Sequence, residues 1–197
     1  MRQFTICTLA FTGGFVIMSI ELLGGRILSP YFGSSVYVWG SIITVFMLSL
    51  SAGYLLGGKL SLFNPSIRKF AALFFVAGVL LYPLVHYGET IMNFVFERIE
   101  DPRYGSLTAA LFMFLPPTVV LGMISPYSVS LLVTNARESG SVAGYLYFVS
   151  TLGSAIGTLL TSFYLVLWFD IDSILIGLTG VLLACAVIAA ATNWSET

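Results

Sequence analysis

The segment Glu21–Lys59 decides the fold, because two long apolar runs meet in it across a short turn. It reads ELLGGRILSPYFGSSVYVWGSIITVFMLSLSAGYLLGGK, with the turn at Ser29–Ser35. A carboxylate (Glu21) and a guanidinium (Arg26) lie in the last third of the first run. An ionisable side chain at membrane depth costs about 2.5 kcal/mol or more, so it usually faces protein or a water-filled cavity. We therefore expect Glu21 to face the inside of a helical bundle.

The composition excludes a soluble domain. Hydrophobic residues make up 58% of the chain and charged residues 9%, whereas soluble domains contain about 25% charged residues. The net charge of -1 indicates no nucleic-acid partner. Cys7 and Cys185 are too few and too far apart to indicate a metal site. We expect no cofactor, and no serine, histidine and acid set indicates hydrolysis.

Six apolar segments are long enough to cross a bilayer as helices, which takes about 20 residues each. Their runs are continuous and do not alternate, which favours helices over a β-barrel. We therefore predict an all-α, polytopic membrane protein that forms a single transmembrane domain over residues 1–197. The predicted spans are about 4–28, 36–58, 70–87, 106–133, 142–168 and 173–191, with a short interfacial helix at about 89–101.

The basic residues indicate the orientation, because cytoplasmic loops carry an excess of Lys and Arg. With the N-terminus inside, five basic residues lie on the cytoplasmic side and three on the outside. The inner group is Arg2, Lys59, Arg68, Lys69 and Arg137, and the outer group is Arg26, Arg98 and Arg103. We predict that both termini are cytoplasmic.

A short match suggests an internal repeat. Leu28-Ser-Pro-Tyr31 ends the first predicted helix, and Ile124-Ser-Pro-Tyr127 lies near the end of the fourth. This spacing is compatible with a three-plus-three inverted repeat, as in half of a major-facilitator transporter. A second match, of residues 52–55 with residues 143–146, requires a different register and leaves the repeat open.

The candidate substrate-binding residues are polar or aromatic side chains in or beside the apolar runs. They are Glu21, Arg26, Trp39, Tyr54, Tyr145 and Tyr147. Glu21 could bind a cation or carry a proton, and His86 is a second candidate for proton coupling. Each has a structural alternative: an ion pair or a helix cap for Glu21, headgroup contact for Arg26, an interfacial belt for Trp39, and core hydrogen bonds for the tyrosines.

Several spaced positions together resemble a known family. They are Glu21, Arg26, Pro30-Tyr-Phe-Gly33-Ser and Trp39, then Gly53-Tyr54 with Gly57-Gly58, then Gly144, Tyr147, Ser150-Thr-Leu-Gly153-Ser and Gly157. This pattern resembles the membrane domain of bacterial spermidine-synthase-like membrane proteins, in which a transporter-like bundle is fused to a spermidine synthase domain. The resemblance covers nearly the whole chain and implies a bacterial inner-membrane location.

The synthase half of that family has no counterpart in this sequence, which lacks a Gly-rich nucleotide-type turn after a strand. We therefore do not expect the chain itself to synthesise polyamines. The first hypothesis is a transporter-like bundle that binds a small polar or cationic solute, such as a polyamine or a related metabolite. Six spans are half of a common transporter size, so a homodimer could complete it. The alternatives are a membrane anchor or regulatory subunit for a cytosolic aminopropyltransferase-like enzyme, and an intramembrane enzyme acting on a lipid or hydrophobic substrate.

Overall fold

The computed structural model describes residues 2–192, which form helices joined by short turns, with no strand among them. The long helices are α1 (Arg2–Phe32), α2 (Val36–Ser61), α3 (Ile67–Leu81), α4 (Pro83–Phe96), α5 (Pro102–Leu132), α6 (Ser139–Leu160) and α8 (Ile171–Ala191). A 3₁₀ turn (Ala136–Glu138) precedes α6, and a π-helical turn (Thr161–Leu165) joins α6 to the short helix α7 (Val166–Trp168).

Among these residues, five helical segments are long and apolar enough to cross a membrane. They are α1, α2, α5, α8 and the continuous stretch from α6 through α7. Helices α3 and α4 make a sixth if the bent pair is one span. This confirms the predicted all-helical protein with the character of a multi-pass membrane protein.

The third predicted span is broken near its C-terminal end. Helix α3 stops at Leu81, Pro83 starts α4, and the two helix axes differ by 42°. Proline has no amide hydrogen to donate, so it fits the first turn of a helix and interrupts a continuous one. The interfacial helix predicted at 89–101 is therefore the second half of a longer helix, which begins at Pro83 and ends at Phe96.

Glycines allow α2 and α5 to approach backbone to backbone. A Cβ atom on Gly53 would lie under 3.0 Å from the Val119 carbonyl oxygen, and one on Gly57 would lie 2.6 Å from that of Met123. Helices in a membrane associate through such close packing, because burial from lipid provides little driving force. The four-residue spacing of Gly53 and Gly57 indicates a close approach by another helix but does not identify α5 as that helix.

Helices α1 and α6 form a second seam of the same kind. A Cβ atom on Gly153 or Gly157 would collide with the carbonyl oxygen of Phe11 or Phe15, respectively. Hydroxyl groups extend the seam, since the Thr161 hydroxyl donates a 2.9 Å hydrogen bond to the Ser19 hydroxyl. The third close pair is α3 with α8.

Hydrogen bonds fix both ends of the bundle. At one end Ser41 of α2 and Ser106 of α5 are bonded through their hydroxyls at 3.0 Å. At the other end the Tyr127 hydroxyl accepts from the Ser66 amide at 2.9 Å, and its ring stacks on Phe70. Because Ser66 precedes α3, the α3–α4 pair starts at the end of the bundle where α5 finishes.

Candidate functional site

A cleft of about 740 Å³ opens between the C-terminal end of α1, helix α4, and the turn that joins α7 to α8. Apolar side chains such as Ile27, Leu84 and Met92 form part of its wall. Four charged side chains (Arg26, Glu89, Asp170 and Asp172) and His86 also line it. The three carboxylates outnumber the single guanidinium, so the cleft favours a cationic ligand.

Asp170 has a structural role in this cleft. Its carboxylate accepts hydrogen bonds from the Ser173 hydroxyl at 2.8 Å and the Ser173 amide at 3.1 Å, and so caps α8. The hydrogen bond from the Ser173 hydroxyl, followed by that from the amide, lowers the pKa of Asp170 below its usual range. Asp170, and not Asp172, is the capping residue, because the helix begins at Ile171.

Glu89 and Asp172 differ from Asp170 because they form no hydrogen bond or ion pair with other described residues. Both side chains are exposed in the cleft wall, Glu89 on α4 and Asp172 in the first turn of α8. The helix dipole of α8 favours a carboxylate at the position of Asp172. These two groups are therefore available to bind a ligand.

The structure brings together two residues that the sequence proposes for different roles, Arg26 and His86, in this cleft. The His86 Nε2 and the Tyr82 hydroxyl are hydrogen-bonded at 2.9 Å, with the two rings edge to face. Arg26 is exposed and makes no ion pair with the described carboxylates. Its guanidinium can therefore contact a negative group of a ligand.

Glu21 does not line this cleft. Its side chain is 8% exposed and forms no hydrogen bond or ion pair with other described residues. Residues four apart share a helix face, so Glu21 lies one turn before Gly25 on a common face of α1. A Cβ atom on Gly25 would lie 2.6 Å from the Trp39 indole, so this face meets the start of α2. Glu21 therefore lies one helical turn from the residue that Trp39 covers, and the Trp39 side chain itself is partly exposed.

The tyrosines predicted to bind substrate lie near the opposite end. Tyr54, Tyr145 and Tyr147 are about half exposed, in the last part of α2 and the first part of α6. The residues predicted as one site are therefore divided: Arg26 and His86 line the cleft, Glu21 is buried on α1 near the partly exposed Trp39, and the tyrosines lie on a surface at the far end.

Sequence reasoning did not propose Glu89, Asp170 or Asp172 as ligand-binding residues. The available signal was their position, since all three lie on the side of the membrane predicted to be outside. Among residues 2–192, no group of His, Cys, Asp and Glu is arranged to hold a metal ion. No family model, curated protein or solved structure matches the chain.

Proposed function

We propose that the chain is a membrane transporter-like bundle that binds a small cationic solute, a polyamine or a related metabolite, in the acidic cleft. The main observation that supports this proposal is that Glu89, Asp170 and Asp172 all line one cavity. Its volume of about 740 Å³ is within the usual range for small-molecule sites, about 300–1,000 Å³.

The lining matches both parts of a polyamine. Ammonium groups form charge-assisted hydrogen bonds with carboxylates, which are about twice as strong as neutral ones. The methylene segments between the ammonium groups need apolar contacts, and the partly exposed Ile27, Val85 and Ile171 provide such surfaces in the same wall. Arg26 disfavours a cation at its own position and so restricts where an ammonium group binds.

The bundle is proposed to be six spans in two inverted halves, with α3 and α4 forming one broken span. The support is that the two glycine seams have the same spacing. In each seam, two glycines four positions apart on one helix meet two residues four positions apart on the other helix. The matched positions are Phe11 with Val119, Phe15 with Met123, Gly53 with Gly153 and Gly57 with Gly157. This register differs from the one that the Ser-Pro-Tyr match suggests.

In this register Glu21 corresponds to Val129, so the acid is present in one half only. An asymmetric buried carboxylate in a matched pair of helices is a candidate for binding a proton or a cation. We propose that it does so when the bundle changes conformation during transport. The basic residues orient the protein in a bacterial inner membrane with both termini cytoplasmic, so the cleft faces outward.

The test is binding of radiolabelled spermidine and putrescine to the full chain in nanodiscs. The double variant Glu89→Gln with Asp172→Asn should weaken binding about tenfold or more, as expected when charge-assisted hydrogen bonds are lost. The matched control is Glu97→Gln, which removes an acid at the same end that does not line the cleft. Equal binding by the double variant and the control would reject the cleft as the site.

A further inference from the structure

The cleft is lined by charges of both signs that do not pair with one another. Arg26 on α1, Glu89 on α4 and Asp172 on α8 are all exposed in its wall. Among the described residues, no side-chain nitrogen of Arg26 lies within 4.0 Å of a carboxylate oxygen. The cleft therefore presents a positive group and negative groups that all remain available to a solute.

Two other arginines near the same end of the bundle have partners within the chain. Arg103 pairs with Asp101 at 2.8 Å, and the Arg98 guanidinium lies 3.7 Å from the centre of the Phe94 ring. The Arg26 guanidinium has no such partner among the described residues. Binding of ammonium groups does not explain its presence in the cleft, because a guanidinium repels them. A negative group on the solute does explain it, because a guanidinium has five N–H donors and no acceptor.

The charges that remain available in the cleft are the inverse of those on an amino acid with a second amino group. Both carboxylate oxygens of Asp170 accept hydrogen bonds in the cap of α8. This leaves two carboxylates, Glu89 and Asp172, and one guanidinium, Arg26. A diamino acid at neutral pH carries two ammonium groups and one carboxylate. A simple diamine matches the two carboxylates but gives the guanidinium no partner.

We propose that the cleft selects a diamino acid, a solute with one carboxylate and two amino groups. This inference rests on the proposed solute binding in the cleft and narrows its substrate class. The Arg26 guanidinium binds the carboxylate, since its planar pair of N–H donors matches the two carboxylate oxygens. Glu89 and Asp172 bind the ammonium groups. The methylene chain of the solute contacts apolar surface at the partly exposed Ile27 and Ile171.

A phosphatidylethanolamine headgroup presents related chemistry, because it joins an anionic phosphate to an ammonium group. It has one ammonium group for the two available carboxylates, so the charges of the cleft favour the diamino acid. The two sources are distinguished by the lipid that surrounds the protein. Nanodiscs of phosphatidylcholine contain no primary ammonium group, and phosphatidylethanolamine is then added as a competitor.

The test compares binding of ornithine and putrescine to the full chain in phosphatidylcholine nanodiscs, because the two molecules differ only by a carboxylate. Ornithine should bind about tenfold or more tightly than putrescine, as expected for added charge-assisted hydrogen bonds. Arg26→Gln should weaken ornithine binding about tenfold or more and strengthen putrescine binding, because a positive charge is removed from the cleft. Arg26→Lys, which keeps the charge but not the paired donors, should retain part of the preference. Arg98→Gln is the matched control, since Arg98 does not line the cleft.

Equal affinities of the wild type for ornithine and putrescine, or equal changes of both affinities in Arg26→Gln, would overturn the selection of a diamino acid. Putrescine binding that still depends on Glu89 and Asp172 would then leave the proposed solute binding intact. Binding of both ligands that is independent of these two acids would reject both proposals. Added phosphatidylethanolamine should leave ornithine binding unchanged. Competition by this lipid in the wild type but not in Arg26→Gln would assign the cleft to a lipid headgroup and overturn the inference.

Discussion

Gly153 of α6 lies so close to Phe11 of α1 that a Cβ atom would fall well inside contact distance of the Phe11 carbonyl oxygen. The obstructing atom belongs to the backbone of a long helix, so it cannot move aside as a flexible side chain can. Gly153→Ala should therefore lower the free energy of unfolding by about 1–3 kcal/mol. Reversible unfolding in mixed micelles measures the change. Gly180→Ala is the control, and an equal effect at both sites would refute the seam.

Two buried threonines differ in whether the hydroxyl group is hydrogen-bonded, and a Thr→Val substitution at each position measures the effect of this difference on stability. The Thr161 hydroxyl is bonded to Ser19 at 2.9 Å, whereas the Thr118 hydroxyl has no hydrogen-bond partner. Thr161→Val should cost about 0.6 kcal/mol, the average for hydrogen bonds between membrane helices, and at most about 1.7 kcal/mol. Thr118→Val should be neutral or stabilising, because it removes an unsatisfied buried hydroxyl. A loss of stability in Thr118→Val comparable to that in Thr161→Val would contradict the assignment.

The helices could be predicted from the sequence because hydropathy is a local property of about twenty residues. The break at Pro83 was harder to predict, since a proline within an apolar run is compatible with a kink or with an end. The cleft could not be predicted, because Glu89 and Asp172 are far apart in sequence and line one cavity only through the packing of α4 beside α8. Glu21 and Tyr54 show the opposite case, because they belong to one sequence pattern but lie in different parts of the fold.

The Tyr127 hydroxyl fastens the turn before α3 to the end of α5. It accepts from the Ser66 amide at 2.9 Å and donates to the Ser66 carbonyl at 3.2 Å. Tyr127→Phe leaves that amide without a partner, which should cost about 1–3 kcal/mol. The measurement is the free energy of unfolding, together with the rate of protease cleavage at residues 62–66. Tyr164→Phe, at an exposed tyrosine on the π-helical turn, should change neither quantity, and equal effects of the two variants would count against the link.

Asp101 caps α5, and its contribution to the stability of the folded protein depends on pH. Its carboxylate accepts from the Arg103 amide at 2.9 Å and pairs with the Arg103 guanidinium at 2.8 Å. The Arg103 side chain is the main cause that lowers the pKa of Asp101. The stabilisation is therefore complete above the ordinary Asp pKa of about 3.9, and is lost as the pH falls through the lowered folded value.

Asp101→Asn keeps a capping side chain but loses the charge, so the variant should unfold at a lower temperature than wild type near neutral pH. The difference should shrink and disappear as the pH falls below the folded pKa. Thermal unfolding in detergent across this range measures it. Glu100→Gln, at the neighbouring acid, is the control. A difference for Asp101→Asn that grows in acid would have the wrong sign and would reject the ion pair as its cause.

Glu21 allows the stability and the function of one residue to be separated. A buried carboxylate without a hydrogen bond or an ion pair destabilises the folded protein whenever it is charged. Glu21→Gln should therefore leave the free energy of unfolding unchanged or raise it, while saturable spermidine uptake into proteoliposomes falls. Glu97→Gln, at an exposed acid on the same side of the protein, should alter neither. Uptake by Glu21→Gln at the wild-type rate would remove Glu21 from the mechanism. A large loss of stability would instead mean that the carboxylate has a structural partner inside the bundle.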